Sequence, residues 1–115
     1  MARSDCFAVV RAIGATLPGV EESTSYGTPA LKVRGKLLAR LHDDGETLVL
    51  RTTPMDRDLL LRTWPKMFYL TDHYVDYPWV LVRLAVIGRK RLEEVIGDAW
   101  GRVAPARLRQ QRGRE

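Results

Sequence analysis

The chain has 115 residues, of which 45% are hydrophobic, and a single cysteine, which together exclude a disordered polypeptide, two domains of ordinary size and an internal disulfide. The net charge is +5, but four arginines against one glutamate in residues 107–115 supply +3 of it, so that residues 1–106 have the charge of an ordinary soluble domain. The longest nearly apolar stretch, residues 79–87, is too short to cross a bilayer, which takes roughly 18 residues, and the N-terminus lacks a secretory signal. We therefore predict a single cytoplasmic domain over residues 1–106, without membrane contact, and a disordered Arg-rich tail over residues 107–115.

The first predicted element is a helix that begins at Ser4, a good N-cap residue, and ends before residues 18–19. Its apolar residues recur at steps of four, three and four, which places them on one face: Cys6, Val10, Ile13 and Leu17. Beyond Glu22 the apolar pattern alternates, which predicts two strands, one on either side of Gly35. A turn over residues 43–45 and a third strand over residues 46–52 follow.

A short helix is predicted over residues 54–64, because Thr53 can cap it and Pro54 suits the first helical position. Residues 67–71 and 79–84 have the composition of strands and are separated by a polar loop over residues 72–78. Apolar residues at three- and four-residue steps then predict an amphipathic helix over residues 89–104. This order of elements predicts an α+β domain whose antiparallel sheet has five to six strands, with the N- and C-terminal helices packed on one face.

Because successive side chains of a strand point to opposite faces, the alternation also divides the sheet residues between two faces. The face toward the helices is predicted to carry an apolar set: Leu31, Val33, Leu37, Leu41, Leu48, Leu50, Val80, Val82 and Leu84. The opposite face, called here the second face, is predicted to carry Lys32, Arg34, Arg40, Arg51, Trp79 and Arg83, together with Leu38, Val49 and Leu81. Two interpretations remain: an exposed cationic face that carries a tryptophan, or a face whose apolar members are covered by a loop or helix, with the arginines as a solvated rim.

Residues with catalytic or metal-binding chemistry are few. Cys6 lies on the apolar face of the first helix, where a buried thiol is the usual case, and His42 ends a strand beside a turn. The loop around His73 and Tyr74 is a candidate small-ligand pocket, because it gathers titratable and hydrogen-bonding groups. One histidine with two flanking carboxylates is weak evidence for a metal site, and a histidine that hydrogen-bonds its own loop is the alternative. We predict no catalytic residue, no metal and no cofactor, and therefore a protein that is not an enzyme.

Four motifs, separated along the chain, carry a family resemblance. They are Leu-Pro-Gly-Val-Glu-Glu at residues 17–22, Tyr-Gly-Thr-Pro-Ala-Leu-Lys-Val at 26–33, Leu-Thr-Asp-His-Tyr at 70–74 and Trp-Val-Leu-Val-Arg-Leu at 79–84. Together they resemble the MmcQ/YjbR family of small bacterial proteins, and the resemblance extends to about Val103. It implies a fold similar to that of CyaY and frataxin, DNA binding, and functional roles for Lys32, His73, Tyr74, Trp79 and Arg83.

The charges of the first helix do not fit one function of the CyaY and frataxin fold, which is iron binding. Frataxin-like iron binding uses an acidic ridge on the first helix and first strand, whereas the first helix here carries Asp5 beside Arg3 and Arg11. We therefore do not expect this chain to handle iron.

Three functions follow as hypotheses. The first is a DNA-binding module in which Trp79 stacks on or wedges between bases and the Arg-rich tail adds affinity. The residues that would neutralise DNA phosphates are Lys32, Arg34, Arg40, Arg51 and Arg83. Such binding is weak, salt-dependent and independent of the DNA sequence. The second is a protein-interaction domain, or a homodimer, that uses the half-apolar second face. The third is a small-ligand pocket around His73, Tyr74 and Lys32.

Overall fold

The structure, a computed structural model, describes residues 6–113, and this range contains four α-helices and six strands. The helices are α1 (Cys6–Gly14), α2 (Pro54–Thr63), α3 (Arg89–Val103) and α4 (Ala106–Gly113). The strands are β1 (Val20–Ser25), β2 (Thr28–Val33), β3 (Lys36–Leu41), β4 (Thr47–Arg51), β5 (Phe68–Tyr69) and β6 (Trp79–Arg83). A 3₁₀ turn, Asp72–Tyr74, lies in the loop between β5 and β6. Ser4, the predicted N-cap, lies outside the described residues.

The six strands form one antiparallel sheet in the order β1-β2-β3-β4-β6-β5. Helices α1 and α3 pack against the sheet and contribute their apolar side chains to the main core. The loop over residues 72–78 contacts the opposite face, where it closes a smaller apolar cluster. The predicted α+β fold, with helices on one face of an antiparallel sheet, is confirmed. Between residues 6 and 113, no helix combines the length and the hydropathy that a membrane span requires.

The chain between residues 20 and 33 forms a hairpin of β1 and β2, where the alternation predicted one strand. The reason is the turn at Tyr26 and Gly27, whose φ angles of 54° and 79° are the left-handed pair that a tight two-residue hairpin turn requires. Ser25 and Thr28 pair directly across this turn. The residues of β1 are mostly polar, so its strand carries little hydrophobic signal. The turn leaves the Tyr26 ring exposed at its tip.

A β-bulge in β3 changes which of two leucines faces the helices. Leu31 pairs with Ala39, whereas the next residue of β2, Lys32, pairs with Leu37, so that Leu38 is the extra residue of the bulge. Leu38 is fully buried in the main core, and Leu37 lies on the second face. The predicted positions of these two leucines were wrong, because strict alternation cannot accommodate an inserted residue.

The structure also corrects the prediction of a disordered tail, because residues 106–113 form α4. Leu108 is buried in the main core and fills the space beside Gly19, where an added Cβ would lie 2.5 Å from the leucine Cδ1. The Arg112 guanidinium lies 5.4 Å from the centre of the Trp100 ring, a cation–π distance. One leucine and one cation–π contact therefore dock a segment whose composition is almost entirely polar. Arg114 and Glu115 lie outside the described residues.

Candidate functional site

The strand register shows which predicted site residues share the second face. Directly opposite partners in an antiparallel sheet point to the same face. On the second face these pairs are Lys32–Leu37, Arg40–Val49, Val49–Leu81, Arg51–Trp79 and Thr47–Arg83. Five of the six predicted residues therefore lie on one face, and Arg34 does not, because it follows β2 in the turn before β3 and has a φ angle of 52°.

The loop over residues 72–78 covers the apolar centre of this face. The Tyr74 ring is buried against Val49 and Leu81, which are 1% and 2% exposed. Leu38, the third aliphatic residue assigned to this face, belongs to the main core instead. The loop covers Val49 and Leu81, so the interaction surface that these aliphatic residues were expected to form is not exposed. The covered interpretation is correct for these two residues, but its solvated rim of arginines is wrong for Arg40, which is buried.

Arg40 is held in a network of hydrogen bonds at the centre of the second face. Only 8% of the residue is exposed. Its Nη1 donates to the Leu41 carbonyl at 3.2 Å and to the Thr28 hydroxyl at 3.4 Å, and its Nη2 donates to the Tyr74 hydroxyl at 3.1 Å. An Asp43 carboxylate oxygen lies 3.9 Å from Nη1. A buried guanidinium costs free energy unless it is hydrogen-bonded and paired, and these contacts supply both.

A groove of about 800 Å³ lies above Arg40, between the β1–β2 turn and the loop over residues 72–78. Apart from Arg40, its walls and floor are formed by aromatic, aliphatic and small polar side chains: Ser25, Tyr26, Leu37, Asp43, Val49, His73, Tyr74, Tyr77 and Trp79. Tyr26 and Tyr77 are 87% and 57% exposed, so their rings have free faces. The Tyr26 ring also lies 5.2 Å from the Arg40 guanidinium. The groove, called here the sheet groove, therefore combines aromatic walls with a buried cation.

Two other predicted cations of the second face, Arg51 and Arg83, are engaged by the fold. The Arg51 guanidinium lies 4.8 Å from the Trp79 ring centre, its Nε donates to the Leu37 carbonyl at 2.7 Å, and burial lowers the pKa of Arg51. The Arg83 guanidinium lies 4.1 Å from the Tyr69 ring centre and 3.4 Å from the carbonyls of Pro65 and Lys66. These residues therefore do not combine with Arg40 into one exposed phosphate-binding patch.

His73 lines the sheet groove and is exposed, and its ring meets the Tyr74 ring edge-on at 4.7 Å. Lys32, which the pocket hypothesis placed beside it, is half-buried on β2 and does not line the sheet groove. Among residues 6–113, no group of three or more His, Cys, Asp or Glu side chains is placed so that it could hold a metal ion. The groove therefore offers groups that stack, donate and accept hydrogen bonds.

Asp44 stabilises the β3–β4 turn that borders the sheet groove. Its Oδ1 accepts from the backbone N–H groups of Glu46 and Thr47 at 2.8 and 2.9 Å, and its Oδ2 accepts from the Thr47 hydroxyl at 2.8 Å. Burial by itself would raise the pKa of Asp44, but these hydrogen bonds and the nearby His42 outweigh it, and the pKa of Asp44 falls below its ordinary value. The turn therefore favours the ionised carboxylate.

This shift predicts an acid-dependent part of the stability. Because the pKa of Asp44 is lower in the folded chain, its contribution is present above the unfolded pKa of about 3.9 and is lost as the pH falls further. We expect Asp44→Asn to lower the free energy of unfolding at pH 7 by less than about 1 kcal/mol, since the side chain is 43% exposed, and the difference from the native chain to shrink at pH 3. Urea unfolding of both chains at pH 7 and pH 3 measures this difference in the free energy of unfolding. The matched control is Asp58→Asn, which changes an exposed aspartate on α2. An equal difference between Asp44→Asn and the native chain at both pH values would contradict the prediction.

Two aromatic residues of the sheet groove, Tyr26 and Tyr77, were not among the predicted site residues, and neither were Ser25, Leu37 and Asp43. The Tyr-Gly pair at residues 26–27 was a signal for Tyr26, since a tight hairpin turn at this pair places the tyrosine at an exposed tip. Tyr77 follows the predicted loop residues His73 and Tyr74, but its position over the sheet depends on how the loop folds. Arg40 was predicted on the correct face, and its burial was not predicted.

The chain was compared with known proteins and structures. A family model described as YjbR matches residues 15–102. The uncharacterized proteins Mb2600 of Mycobacterium bovis and Rv2570 of Mycobacterium tuberculosis are each 45% identical over 49 residues, which are 43% of this chain and 38% of each relative, so the chain spans well under half the length of these curated relatives. The crystal structure of Deinococcus radiodurans protein DR2400, a DUF419 domain, superposes with a TM-score of 0.70 at 20% identity and covers 90% of this chain and 85% of that one. At this identity, the likeness shows a shared fold.

Proposed function

The chain belongs to the YjbR family, and we propose that in this member the sheet groove binds a small, planar molecule with one anionic group. The observation that carries the proposal is the position of Arg40, a hydrogen-bonded and almost fully buried guanidinium at the base of a groove with exposed aromatic walls. The proposed role is binding without catalysis.

The size and chemistry of the sheet groove support a small, planar ligand with one anionic group. Its volume of about 800 Å³ lies within the range of roughly 300–1,000 Å³ that small-molecule sites occupy. Leu37 and Val49 give it an apolar floor beside Arg40, and the exposed rings of Tyr26 and Tyr77 offer faces on which a flat ligand can stack. The positive charge of Arg40 at the base of the groove would attract an anionic group, so Arg40 would select a ligand that carries one.

The acidic residues around the sheet groove favour a single anionic group over a chain of phosphates. Asp43 lines the groove and lies 3.9 Å from the Arg40 guanidinium. Asp72 and Asp76 are exposed on the loop that forms one wall. Like charges repel, so these carboxylates disfavour a polyanion more than a ligand with a single negative charge.

Binding of 1-naphthoate and of 1-naphthylmethanol, its neutral analogue, tests the proposal by calorimetry. We expect naphthoate to bind at least tenfold more tightly, because only the carboxylate can pair with Arg40. Tyr26→Ala should weaken naphthoate binding about five- to tenfold through lost stacking, which is worth roughly 1 kcal/mol. The matched control is Met55→Ala, an 82% exposed residue on α2 that does not line the groove. Equal affinity for both compounds, or no effect of Tyr26→Ala, would overturn the proposal.

A second candidate function, nucleic-acid binding, is favoured by the net charge of +5 and by the exposed cations Arg34 and Lys36 in and beside the β2–β3 turn. Lys32 and Arg51 lie at the same end of the sheet, since Lys32 pairs with Leu37, whose carbonyl accepts from Arg51. Contacts with phosphates alone would make the binding weak, salt-dependent and independent of sequence.

Fluorescence anisotropy of a labelled DNA duplex tests this second function. If four or five phosphates are bound, log K should fall with log salt concentration at a slope of roughly −0.9 per phosphate. Replacing Arg34 and Lys36 together with alanine should reduce this slope, whereas the same change at Arg107 and Arg109 of α4 measures any contribution of the tail. A flat salt response, or loss of affinity with the α4 variant alone, would exclude the sheet as a nucleic-acid interface.

A further inference from the structure

Arg57 of α2 reaches across to the loop that forms one wall of the sheet groove. Its Nη1 donates to the carbonyls of Tyr77 at 2.7 Å, Trp79 at 3.1 Å and Tyr74 at 3.4 Å. Its Nη2 donates to the carbonyl of Val75 at 2.9 Å. A single guanidinium therefore contacts four carbonyls within a stretch of six residues, and this stretch supplies Tyr74, Tyr77 and Trp79 to the groove.

We propose that Arg57 is the positioning residue of the sheet groove: it fixes the path of residues 74–79 and thereby places the three aromatic side chains that would contact the ligand. Arg57 does not itself line the groove, so its effect on a ligand would pass through the loop. This inference rests on the proposed function for its ligand readout, but the effect on the loop stands independently of it.

The loop has few other hydrogen bonds that would fix it in this path. Tyr77 N–H donates to the Tyr74 carbonyl and Trp79 N–H donates to the Tyr77 carbonyl, which are both bonds within the loop. The bond from Thr52 N–H to the Pro78 carbonyl ties the loop to the end of β4. On the sheet side, the buried Tyr74 ring anchors one position, and its hydroxyl accepts from Arg40 Nη2 at 3.1 Å. Arg57 thus supplies most of the polar contacts between the loop carbonyls and another element.

The helix that carries Arg57 is held by polar contacts and by Leu60 and Leu61, which are partly buried and pack against the main core. None of the ten residues of α2, all of which the structure describes, is buried. The Thr53 hydroxyl caps the helix by accepting from Asp56 N–H at 3.2 Å, and the Asp56 carboxylate forms an ion pair with Arg102 of α3. Asp56 therefore ties the first turn of α2 to α3 at the residue next to Arg57.

A guanidinium suits this position and an ammonium does not. Arginine has five N–H donors fixed in a plane over three nitrogens, so that it can serve acceptors on two sides at once. Lysine carries three N–H donors on one nitrogen, so it lacks the second nitrogen with which Arg57 reaches the Val75 carbonyl while Nη1 serves the other three carbonyls. We therefore expect Arg57→Lys, which keeps the charge, to release the loop.

Amide hydrogen exchange of the full chain, combined with naphthoate calorimetry, tests the inference. In Arg57→Lys we expect exchange of residues 74–79 to rise at least tenfold while exchange in β3, β4 and α3 stays unchanged, and naphthoate affinity to fall at least fivefold. The matched control is Arg62→Ala, an exposed arginine on the same helix, which should change neither readout. Arg57→Gln has two donors on one nitrogen of a shorter, neutral side chain, so it should raise loop exchange at least as much as Arg57→Lys.

The outcomes separate this inference from the proposed function. If the native chain does not bind naphthoate but Arg57→Lys raises exchange of residues 74–79 alone, the proposed function fails and the positioning role of Arg57 stands. Unchanged exchange of residues 74–79 in Arg57→Lys overturns the inference. A rise in exchange throughout the chain in both variants also overturns it, because Arg57 would then stabilise the whole fold instead of one wall of the groove.

Discussion

Replacing Arg40 with alanine is expected to lower the free energy of unfolding by about 3 kcal/mol and to reduce naphthoate affinity more than tenfold. The substitution leaves the Leu41 carbonyl without the guanidinium donor and removes the hydrogen bond to the Tyr74 hydroxyl. Each buried polar group that loses its partner costs about 1–3 kcal/mol. The affinity falls because the sheet groove loses the cation that would pair with the ligand's anionic group. Urea denaturation and calorimetry measure the two effects.

Controls separate the loss of the polar contacts of Arg40 from the loss of its side-chain volume. Arg62→Ala removes an exposed arginine and should change stability by less than about 0.5 kcal/mol. Arg40→Met keeps much of the buried volume but removes the charge. Combined with Tyr74→Phe it removes both partners of one hydrogen bond, so the double variant should be more stable than the sum of the two single changes indicates, by about 1–2 kcal/mol. A strictly additive cycle would show that the Arg40–Tyr74 bond carries little energy.

The elements that follow from local sequence patterns were predicted closely. Helix α3 spans Arg89–Val103, against a prediction of 89–104, because its apolar residues recur at helical steps and are buried: Leu92, Val95, Ile96, Ala99 and Trp100. Helix α2 spans Pro54–Thr63, against a prediction of 54–64, and the predicted Thr53 cap is present. Periodicity and capping depend on neighbouring residues alone, so one sequence contains the information they need.

The differences arise where a distant segment decides the structure. The bulge at Leu38 depends on which residues of β2 pair with β3, and this inserted residue exchanges the faces of Leu37 and Leu38. Helix α4 depends on the space beside Gly19 that Leu108 fills, about ninety residues away in sequence. Neither partner is visible from the local pattern of the segment itself.

The candidate site, like the fold, was predicted where a local pattern decides the position of a residue and was not predicted where a distant segment decides it. Strand alternation placed Arg40 and Trp79 on one face, and the register confirms this placement. The burial of Arg40 and the groove above it depend on the loop over residues 72–78, which the Tyr74 ring holds from the sheet side and Arg57 holds from α2. Because these contacts join separate parts of the chain, the sequence indicated candidate residues for the site but not its enclosed shape.

The second large effect is expected for Tyr74→Ala, which should lower the free energy of unfolding by about 3 kcal/mol and remove naphthoate binding. Truncating a large buried ring typically costs about 3–5 kcal/mol, and this ring forms the apolar cluster with Val49 and Leu81. We place the value at the lower end because the loop can move inward and fill part of the space. The same movement would destroy the wall of the sheet groove. Thermal and urea unfolding measure the stability, and calorimetry measures the affinity.

Tyr74→Phe is the matched control, because it keeps the ring and removes the hydroxyl that accepts from Arg40. We expect a loss of about 1–2 kcal/mol, as for one hydrogen bond to a charged group, with naphthoate affinity reduced less than threefold. If Tyr74→Ala and Tyr74→Phe lose equal stability, the hydroxyl and not the ring holds the loop. If Tyr74→Ala binds naphthoate as tightly as the native chain, the loop is not a wall of the site. Retained affinity in Tyr74→Phe together with its loss in Tyr74→Ala would show that ring packing shapes the groove, because the Arg40 charge is present in both variants.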